Sequence, residues 1–575
     1  MGDFVKFTIL ILILLYNFSF NALALASDTK NLENDESKIA EYMAKCEAIK
    51  TLIVNKEYPV ECFTNYSHFF PTNQNTKRST AIKIANYNLL HPGTSKALFK
   101  DYAIVAKIMN QYDIVAALEL LATVGRDEQS NKAVLDLIMN SPDMLAKLKE
   151  QRAKLTDPAK IQELEMKIRK LNNDTRAAYD LYRAPGYLKV LQELKKLDPS
   201  WGLILTPRGD SALEGSVEEL AGYFYRGSTV SLAENPHCKK YAGEGAGFPS
   251  ACFITLTEDF MGRSLVEHFA RRPFMASFKV NNSKFTLVTS HIVFTYSGDE
   301  EAAKDLLKKT FGVESIKDLG PGINQANFAR LAEVKNTLEF MEKYKNKYND
   351  SKIMFLSDTN LVSSNAFWPQ VLNSFTRSEL LIKEPTTISP GRYLANGKET
   401  NGVANDYDHF ILDKKTFSNC NDGEVYNYFK SGISSDIDRK YGIRQEIVGF
   451  QNKQFDKSFN STSYSPLTNQ PVSGSDVLEG DIPPVDDPAT VKLDYPLTSH
   501  GQSKMDKFVS GFETYLKGLK TIKNNQVAQD DFQIPERLDG LRRRVFLRQL
   551  TNPYYNRHMQ EILSDHFPVA LTCQF

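Results

Sequence analysis

The sequence lacks an excess of charge of either sign, a Cys-x-x-Cys pair and any internal repeat. Its 575 residues include 70 Lys and Arg against 70 Asp and Glu, so the formal net charge is zero. This balance gives no indication of a nucleic-acid-binding protein, and a polyanionic substrate would need local basic groups or a metal ion. Without a Cys-x-x-Cys pair, a zinc site is disfavoured. Beyond the N-terminus, no apolar run is long enough to predict a transmembrane segment.

The N-terminus has the pattern of an export signal. Lys6 precedes an apolar run over residues 7–15, and small residues follow at alternate positions. This pattern predicts a signal peptide over residues 1–26, cleaved after Ala24 or Ala26. A membrane anchor is disfavoured because the run is shorter than the ~20 residues that span a bilayer. We therefore expect a secreted protein without a stable membrane anchor, either extracellular or, in a Gram-negative bacterium, periplasmic.

The six cysteines permit three disulfide bonds in an exported chain. Cys46 with Cys62, and Cys238 with Cys252, are the locally closed pairs. The sequence itself does not fix the pairing.

The chain is long enough for one large domain with insertions or for two domains. We predict an N-terminal extension over residues 27–79 and a catalytic domain over residues 80–575. Apolar runs bounded by polar turns predict buried strands at 82–88, 113–118, 201–207, 223–225, 274–280, 285–290, 353–356, 409–412 and 568–572. Helical periodicity over about 127–198 predicts an inserted helical hairpin. A second insertion, irregular and then helical, is predicted over 413–550.

Polar side chains stand at the ends of these apolar strands, where a rigid sheet can position catalytic groups. They are Asn88, Glu119, His291, Asp358, Asn360, Asp408, Asp565 and His566. Their carboxylate and amide oxygens suit Mg²⁺, with Mn²⁺ and Ca²⁺ as alternatives. The two imidazoles suit general acid and base chemistry near neutral pH. Each signal is weak alone, but their combination around a hard cation indicates metal-assisted phosphate ester hydrolysis.

Short motifs containing these residues follow one another in a fixed order: IKIANYN, DIVAALE, EELAGYFYR, TSHI, LSDTN, YDH and LSDHFPV. In this order they resemble the deoxyribonuclease I-like endonuclease/exonuclease/phosphatase superfamily, over residues 82–412 and 555–575. The resemblance implies an α/β (α+β) fold, a four-layer sandwich of two packed, mostly antiparallel β-sheets flanked by helices. LSDHFPV, the most specific motif, would return from the far end of the chain to complete the site.

The resemblance also implies a metal site. Glu119 would be the principal metal ligand, with Asn88 and Asp565 beside it. Asp358 and Asn360 would position the attacking water and the phosphate oxygens.

Two imidazoles would complete the implied mechanism. His566 would be oriented by Asp408, and His291 by Glu219, with the adjacent Glu218 as a competing candidate. An activated water would then attack phosphorus in line with the leaving oxygen.

The segment EELAGYFYR resembles the secreted nucleases within the superfamily, and Arg271 resembles an arginine that contacts the nucleic-acid backbone. The sequence departs from the family pattern at Leu118, Ser357 and His409. We expect a monomeric endonuclease acting on DNA, and also on RNA. A sphingomyelinase-like phospholipid phosphodiesterase is the first alternative, and a non-enzymatic binding protein on the same fold is the second.

Overall fold

The computed structural model describes residues 68–69, 71, 81–92, 100–121, 128–181, 186–206, 219–241, 247–293, 299–388, 403–441, 556, 559–560 and 562–575. The predicted signal peptide, the Cys46 and Cys62 pair, Glu218 and residues 442–550 of the second insertion lie outside these ranges.

The strands are β1 (His68–Phe69), β2 (Ala81–Asn88), β3 (Ile114–Leu121), β4 (Trp201–Leu205), β5 (Glu219–Arg226), β6 (Ser231–Leu232), β7 (Gly247–Phe248), β8 (Ala251–Phe253), β9 (Phe274–Val280), β10 (Ser283–His291), β11 (Ile353–Asp358), β12 (Ser378–Leu380), β13 (Asp408–Asp413), β14 (Glu424–Val425) and β15 (Val569–Gln574). The helices are α1 (Tyr102–Met109), α2 (Glu128–Ala153), α3 (Pro158–Leu181), α4 (Gly186–Leu197), α5 (Pro236–Tyr241), α6 (Glu258–Met261), α7 (Glu300–Phe311), α8 (Gln325–Tyr348), α9 (Trp368–Leu372) and α10 (Ile433–Tyr441).

The first sheet has the strand order β1-β4-β5-β3-β2-β15-β14. Only β2 and β3 run parallel, and every other neighbouring pair is antiparallel. The carboxyl ends of β2 and β3 therefore lie at the same edge as the amino ends of β5 and β15. As a result, β15 places the end of the described chain between β2 and the short edge strand β14.

The second sheet has the order β12-β13-β11-β10-β9-β8-β7, with β6 paired to β9. Its one parallel pair is β10 with β11, and β13 runs antiparallel to β11. The register places His291 opposite Asp358, and Asp358 opposite Asp408. Three of the predicted site residues thus form one row across three neighbouring strands.

The two sheets pack face to face around one apolar core. That core joins Ile82 and Tyr223 of the first sheet to Phe274 and Leu287 of the second. On the outer side of the first sheet, α4 packs on β3 and β4 and contacts α1; at the second sheet, α8 contacts β11 and α7. The predicted fold class, two packed and mostly antiparallel sheets flanked by helices, is confirmed.

Helices α2 and α3 contact each other closely and occupy the region predicted as a helical hairpin. They are joined by the short segment 154–157, and Arg152 pairs with Glu165 across them. The same region also contains α4, which packs on the sheet and so belongs to the core. In the segment predicted as the second insertion, β14 pairs with β15 and extends the first sheet.

Two disulfide bonds join described residues. Cys238 is bonded to Cys252, as the locally closed pairing predicts, and Cys420 is bonded to Cys573. The second bond ties the segment before β14 to β15. Among the described residues, no helix is long and apolar enough to cross a membrane.

Candidate active site

The predicted site residues converge at one edge of the sandwich. Asn88 and Glu119 stand at the ends of the parallel strands β2 and β3, and Glu219 begins the antiparallel β5. From the second sheet, the row of His291, Asp358 and Asp408 reaches the same edge. Asp565 and His566 complete the group immediately before β15. The strand directions alone therefore bring together residues that are hundreds of positions apart in the sequence.

His566 is held by a buried carboxylate. Its Nδ1 lies 2.7 Å from Oδ2 of Asp408, which also accepts a 2.7 Å hydrogen bond from the Thr386 hydroxyl. The other carboxylate oxygen accepts from the Asn86 amide at 3.2 Å. Burial lowers the pKa of an imidazole, but the carboxylates of Asp408 and Asp358 outweigh it and raise the pKa of His566 well above its ordinary value. The same geometry turns Nε2 of His566 towards the site, 3.5 Å from Oδ2 of Asp358.

His291 is held in the same way by Glu219. Its Nδ1 lies 2.8 Å from Oε2 of Glu219, and Nε of Arg271 lies 2.6 Å from the same oxygen. Burial and Arg271 act to lower the pKa of His291, but Glu219 and Glu119 raise it above the ordinary value. Burial likewise opposes ionisation of Glu219, yet His291 and Arg271 hold the pKa of that carboxyl well below its usual range.

Asp358 lies between the two imidazoles. Its Oδ2 is 3.7 Å from Nε2 of His291 and 3.5 Å from Nε2 of His566. Its Oδ1 accepts the backbone N–H of Asn360 at 3.0 Å. Burial raises the pKa of this carboxyl, although the neighbouring imidazoles oppose the rise. A carboxylate with a raised pKa between two proton donors is suited to take a proton from a bound water molecule.

Glu119 reaches the site through an irregularity in β3. The register between β3 and β5 shifts between Ala117 and Leu120, and Glu119 has a φ of 56°. Non-glycine residues seldom adopt this left-handed conformation, and β-bulges are frequent beside active sites because they redirect a side chain. One carboxylate oxygen, Oε1, accepts the Asn88 amide at 2.9 Å.

A divalent cation needs oxygen ligands that no hydrogen-bond donor already occupies. Oε2 of Glu119 and Oδ1 of Asp565 are buried and accept no hydrogen bond. A compact set formed by Asp358, Asp408 and His566 also has suitable donor types. Both carboxylate oxygens of Asp408 already accept hydrogen bonds, and Nδ1 of His566 is one of the partners. Asp408 therefore orients His566 and has no free oxygen for a cation. The oxygens of Glu119 and Asp565 that accept no hydrogen bond are of the type that binds a hard cation.

The amide nitrogen of Asn88, not its oxygen, points towards the carboxylates of Glu119 and Asp358. Its Nδ2 donates to Glu119 at 2.9 Å and to Oδ2 of Asp358 at 3.1 Å, while its Oδ1 accepts the Leu90 N–H at 3.0 Å. The amide would have to rotate to offer its oxygen to a cation. Asn88 thus lies at the predicted metal site but links two acidic side chains in this arrangement.

One site residue, His91, was missed by the sequence reasoning. Its Nε2 lies 3.1 Å from Oε1 of Glu219 and 3.1 Å from Oε2 of Glu119, without hydrogen-bond geometry to the latter. It joins the carboxylate at the predicted metal site to the one that orients His291. Its position three residues after Asn88, beyond the end of β2, is the signal by which it could have been found.

The remaining predicted residues have supporting contacts. Asn360 has a φ of 53°, and its Nδ2 donates to the backbone oxygen of Ile292 at 2.9 Å, which ties the loop after β11 to the end of β10. Arg271 stands beside Glu219 and His291. His409, one of the departures from the family pattern, is buried away from the site, with its ring nitrogens facing the backbone oxygens of Ile382 and Leu361.

The sequence and the structure were compared with known proteins. No protein-family model and no curated protein matches the sequence. Among solved structures, the chain resembles an endonuclease/exonuclease/phosphatase family protein from Leptotrichia buccalis, at 11% identity and a TM-score of 0.30, covering 60% of this chain and 89% of that one. It also resembles the catalytic domain of human Nocturnin, at 11% identity and a TM-score of 0.29, covering 61% and 86%. A mannosyl-6-phosphatase from Bacteroides thetaiotaomicron matches at 12% identity and a TM-score of 0.28, covering 57% and 84%.

The chemistry of the site follows from the positions of its side chains.

Proposed function

We propose that the protein is a secreted, Mg²⁺-dependent phosphodiesterase, an endonuclease that hydrolyses DNA and also accepts RNA. The observation that supports this most is the arrangement of two carboxylate-bound imidazoles around one acid. His291 and His566 each place Nε2 within 4 Å of the same Asp358 oxygen, at 3.7 and 3.5 Å. Such a group can remove a proton from water on one side and donate protons to phosphate oxygens on the other.

In the proposed mechanism, Asp358 takes the proton of the attacking water. His566 and His291, both with raised pKa values, enter the reaction protonated. One imidazolium stabilises the negative charge that develops on the phosphoryl oxygens, and the other protonates the departing oxygen. Asp408 and Glu219 fix the two rings through Nδ1, so that Nε2 carries the reacting proton.

Glu119 and Asp565 would hold the metal ion, with Asn88 joining them after its amide rotates. When bound, the Mg²⁺ ion would supply positive charge that polarises the phosphate and stabilises its transition state. Mn²⁺ and Ca²⁺ are alternative occupants, since both favour oxygen ligands.

Arg271 supports a nucleic-acid substrate. Its side chain is partly exposed beside His291, and a guanidinium can contact a phosphate through two N–H groups. Nε lies against Glu219, and Nη1 lies 3.4 Å from the backbone oxygen of His291. Phosphodiester backbones offer such phosphates on either side of the cleaved bond. We place the phospholipid alternative and the non-enzymatic alternative second, as outcomes of the test.

The test is hydrolysis of supercoiled plasmid DNA, RNA and sphingomyelin vesicles by the chain from Ser27 onwards. Each substrate is incubated with Mg²⁺, with Mg²⁺ and Ca²⁺, and with EDTA. His566→Ala and His291→Ala are each compared with His268→Ala, a control imidazole that pairs with Asp305. We expect nicking that needs the cation and falls ~10²–10⁴-fold in the two site variants only.

The outcomes separate the alternatives. Cleavage of sphingomyelin with inert nucleic acid would move the protein to the phospholipid branch. Inactivity on all substrates would favour the binding protein, and full activity in His566→Ala would remove that imidazole from the mechanism.

Export is tested separately by expressing the whole chain in a secretory host and sequencing the N-terminus of the released protein. We expect a start at Leu25 or Ser27. Retention in the cell with Met1 intact would contradict the proposed signal peptide.

A further inference from the structure

Helix α8 passes beneath the proposed site and places a buried acid there. Glu333 is 2% exposed, and its two carboxylate oxygens are both occupied. Oε1 accepts the backbone N–H of Ala270 at 2.9 Å, and Oε2 accepts that of Val293 at 3.2 Å. The acid therefore joins two segments of chain that are neighbours in the fold but not in the sequence.

Each of these segments carries a residue of the proposed site. Ala270 directly precedes Arg271, and Val293 follows His291 by two residues. The two segments also contact each other, since Nη1 of Arg271 lies 3.4 Å from the backbone oxygen of His291. Bonds from Glu333 to both backbones thus fix Arg271 and His291 from the side of α8.

The same helix supports a third loop one turn earlier. Arg330 donates from Nη1 to the backbone oxygen of Asn360 at 2.6 Å. Arg330 and Glu333 are three positions apart and so lie on the same face of α8. This face thereby contacts the loops that follow β10 and β11 and the segment that precedes β9.

Only a carboxylate satisfies both N–H groups with its two oxygens. In glutamine one of these oxygens is replaced by an NH₂ group, which would face an N–H donor without accepting from it. Burial raises the pKa of Glu333 to about 7, although the two N–H donors and the positive charges of Arg271 and His291 oppose the rise. Arg271 and His291 are the charged groups that face it from the neighbouring segments, and Arg330 shares its helix.

We propose that Glu333 is a positioning residue of the active site, whose ionised carboxylate holds Arg271 and His291 in their working places. The inference deepens the proposed phosphodiesterase function and rests on it for its effect on turnover. Its structural half, the paired backbone hydrogen bonds, does not depend on any activity.

The first experiment measures kcat and KM for bis(p-nitrophenyl) phosphate with Mg²⁺ between pH 5.5 and 8.5. Glu333→Gln is compared with Glu339→Gln, the same change on the same helix at a residue that pairs with Arg263 and Lys335. At pH 8 we expect kcat to fall about 10- to 100-fold in Glu333→Gln, the range that a small misplacement of reacting groups produces. The ratio of wild-type to Glu333→Gln activity should shrink as the pH falls through 7, because the wild-type acid then becomes neutral.

The second experiment measures amide hydrogen exchange in peptides that contain Ala270 and Val293, at pH 8. We expect faster exchange at both amides in Glu333→Gln and unchanged exchange in Glu339→Gln. An active wild type whose loss in Glu333→Gln is the same at every pH would leave only a structural role and overturn the proposal. Unchanged exchange at both amides in Glu333→Gln would overturn the proposal, even if the protein had no phosphodiesterase activity. An inactive wild type, together with faster exchange in Glu333→Gln, would overturn the proposed function alone.

Discussion

Glu119 links backbone conformation and chemistry at the scale of a single residue. Its positive φ lies within a shift of the β3 register, and this conformation costs about 1–3 kcal/mol, which the surrounding structure must offset. The shift directs the carboxylate towards Asn88 and leaves Oε2 without a hydrogen-bond donor. An oxygen without a donor, on a residue held in an unfavourable conformation, is consistent with a cation ligand.

We expect Glu119→Gln to raise the Mg²⁺ concentration needed for half-maximal activity by more than ~10-fold, the cost of losing an outer partner of a metal ligand. The thermal midpoint should change little, because the side chain keeps its size and the backbone its shift. A metal titration at constant substrate measures the effect, with the exposed Glu379→Gln on β12 as the control. A titration curve identical to that of the wild type would contradict the ligand assignment.

A second residue, His237, determines part of the stability rather than the chemistry. Its ring is buried among Tyr241, Phe260, Phe340 and Tyr348, with ring centroids 4.7–5.8 Å away. Burial lowers the pKa of His237 from 6.5 to about 3. The folded protein therefore holds the neutral ring at pH values where the unfolded chain binds a proton.

The pH dependence of unfolding follows from this difference. The folded pKa is depressed, so the stabilisation is complete above pH 6.5 and is lost as the pH falls from 6.5 towards 3. Between pH 7.5 and 4.5 we expect His237 to account for about 2.5 kcal/mol of lost unfolding free energy. Urea titrations of wild type and His237→Phe at both pH values measure it. An equal loss in the two proteins would show that His237 binds a proton in the folded state.

Individual site residues were predictable where a strand end carries them. Glu119, His291 and Asp358 each follow an apolar run, so the sequence indicates both the residue type and its place at the end of a strand. Their roles remain predictions. Glu333 could not be found in this way, because it lies within α8. This helix has many charged residues, and the sequence does not indicate which of them is buried.

Among the elements, the segment after β13 supports the last motif of the site. The Tyr428 hydroxyl donates to the backbone oxygen of His566 at 2.7 Å, and the Tyr87 hydroxyl lies 2.6 Å from it. A hydroxyl has one proton and a carbonyl can only accept, so Tyr87 donates to Tyr428. Strand β14 adds a second link through its pairing with β15.

We expect Tyr428→Phe to reduce the unfolding free energy by about 1–3 kcal/mol, because the buried His566 carbonyl loses its donor. It should also reduce kcat on bis(p-nitrophenyl) phosphate, since that carbonyl is part of the backbone that carries the imidazole. Tyr87→Phe is the matched control, as it removes a hydroxyl but keeps the bond to His566. Equal kcat values in the two variants, at equal folded concentration, would contradict a positioning role for Tyr428.

Elements with strong local patterns were predicted closely, and those that depend on distant partners were not. The prediction of 274–280 coincides with β9, and 353–356 lies within β11. Strand β14 has two residues and exists through its pairing with β15, which begins more than 140 residues later. No local pattern over 413–441 could indicate that partner, so the segment was predicted as insertion alone.

For the whole molecule, the path of the chain makes one disulfide bond important. Cys420 and Cys573 are 153 residues apart in sequence, and the chain between them leaves the described fold at residue 441 and returns to it near residue 556. The bond therefore holds β15, with Asp565 and His566 before it, to the rest of the protein independently of the connecting chain. Closing a loop of this length contributes about 4–5 kcal/mol in the chain-entropy model.

We expect a protein cut once between residues 442 and 555, at an introduced protease site, to remain active at any dilution. The same cut in the Cys420→Ala/Cys573→Ala variant should give activity that falls on dilution, because only non-covalent contacts then hold β15. The uncut double variant is the control and should lose stability without any dependence on concentration. Inactivity of the cut, disulfide-bonded protein would show that the intact connection itself is required.

The position of β15 also sets the order of events during biosynthesis. The ribosome adds His566 and its strand after the other residues of the proposed site, and the edge of the first sheet beside β2 stays open until they arrive. A nascent chain that has not yet reached β15 therefore carries no complete catalytic group. For a hydrolase proposed to act on DNA and RNA, the late addition of this imidazole delays activity until the strands that carry the other site residues have been synthesised.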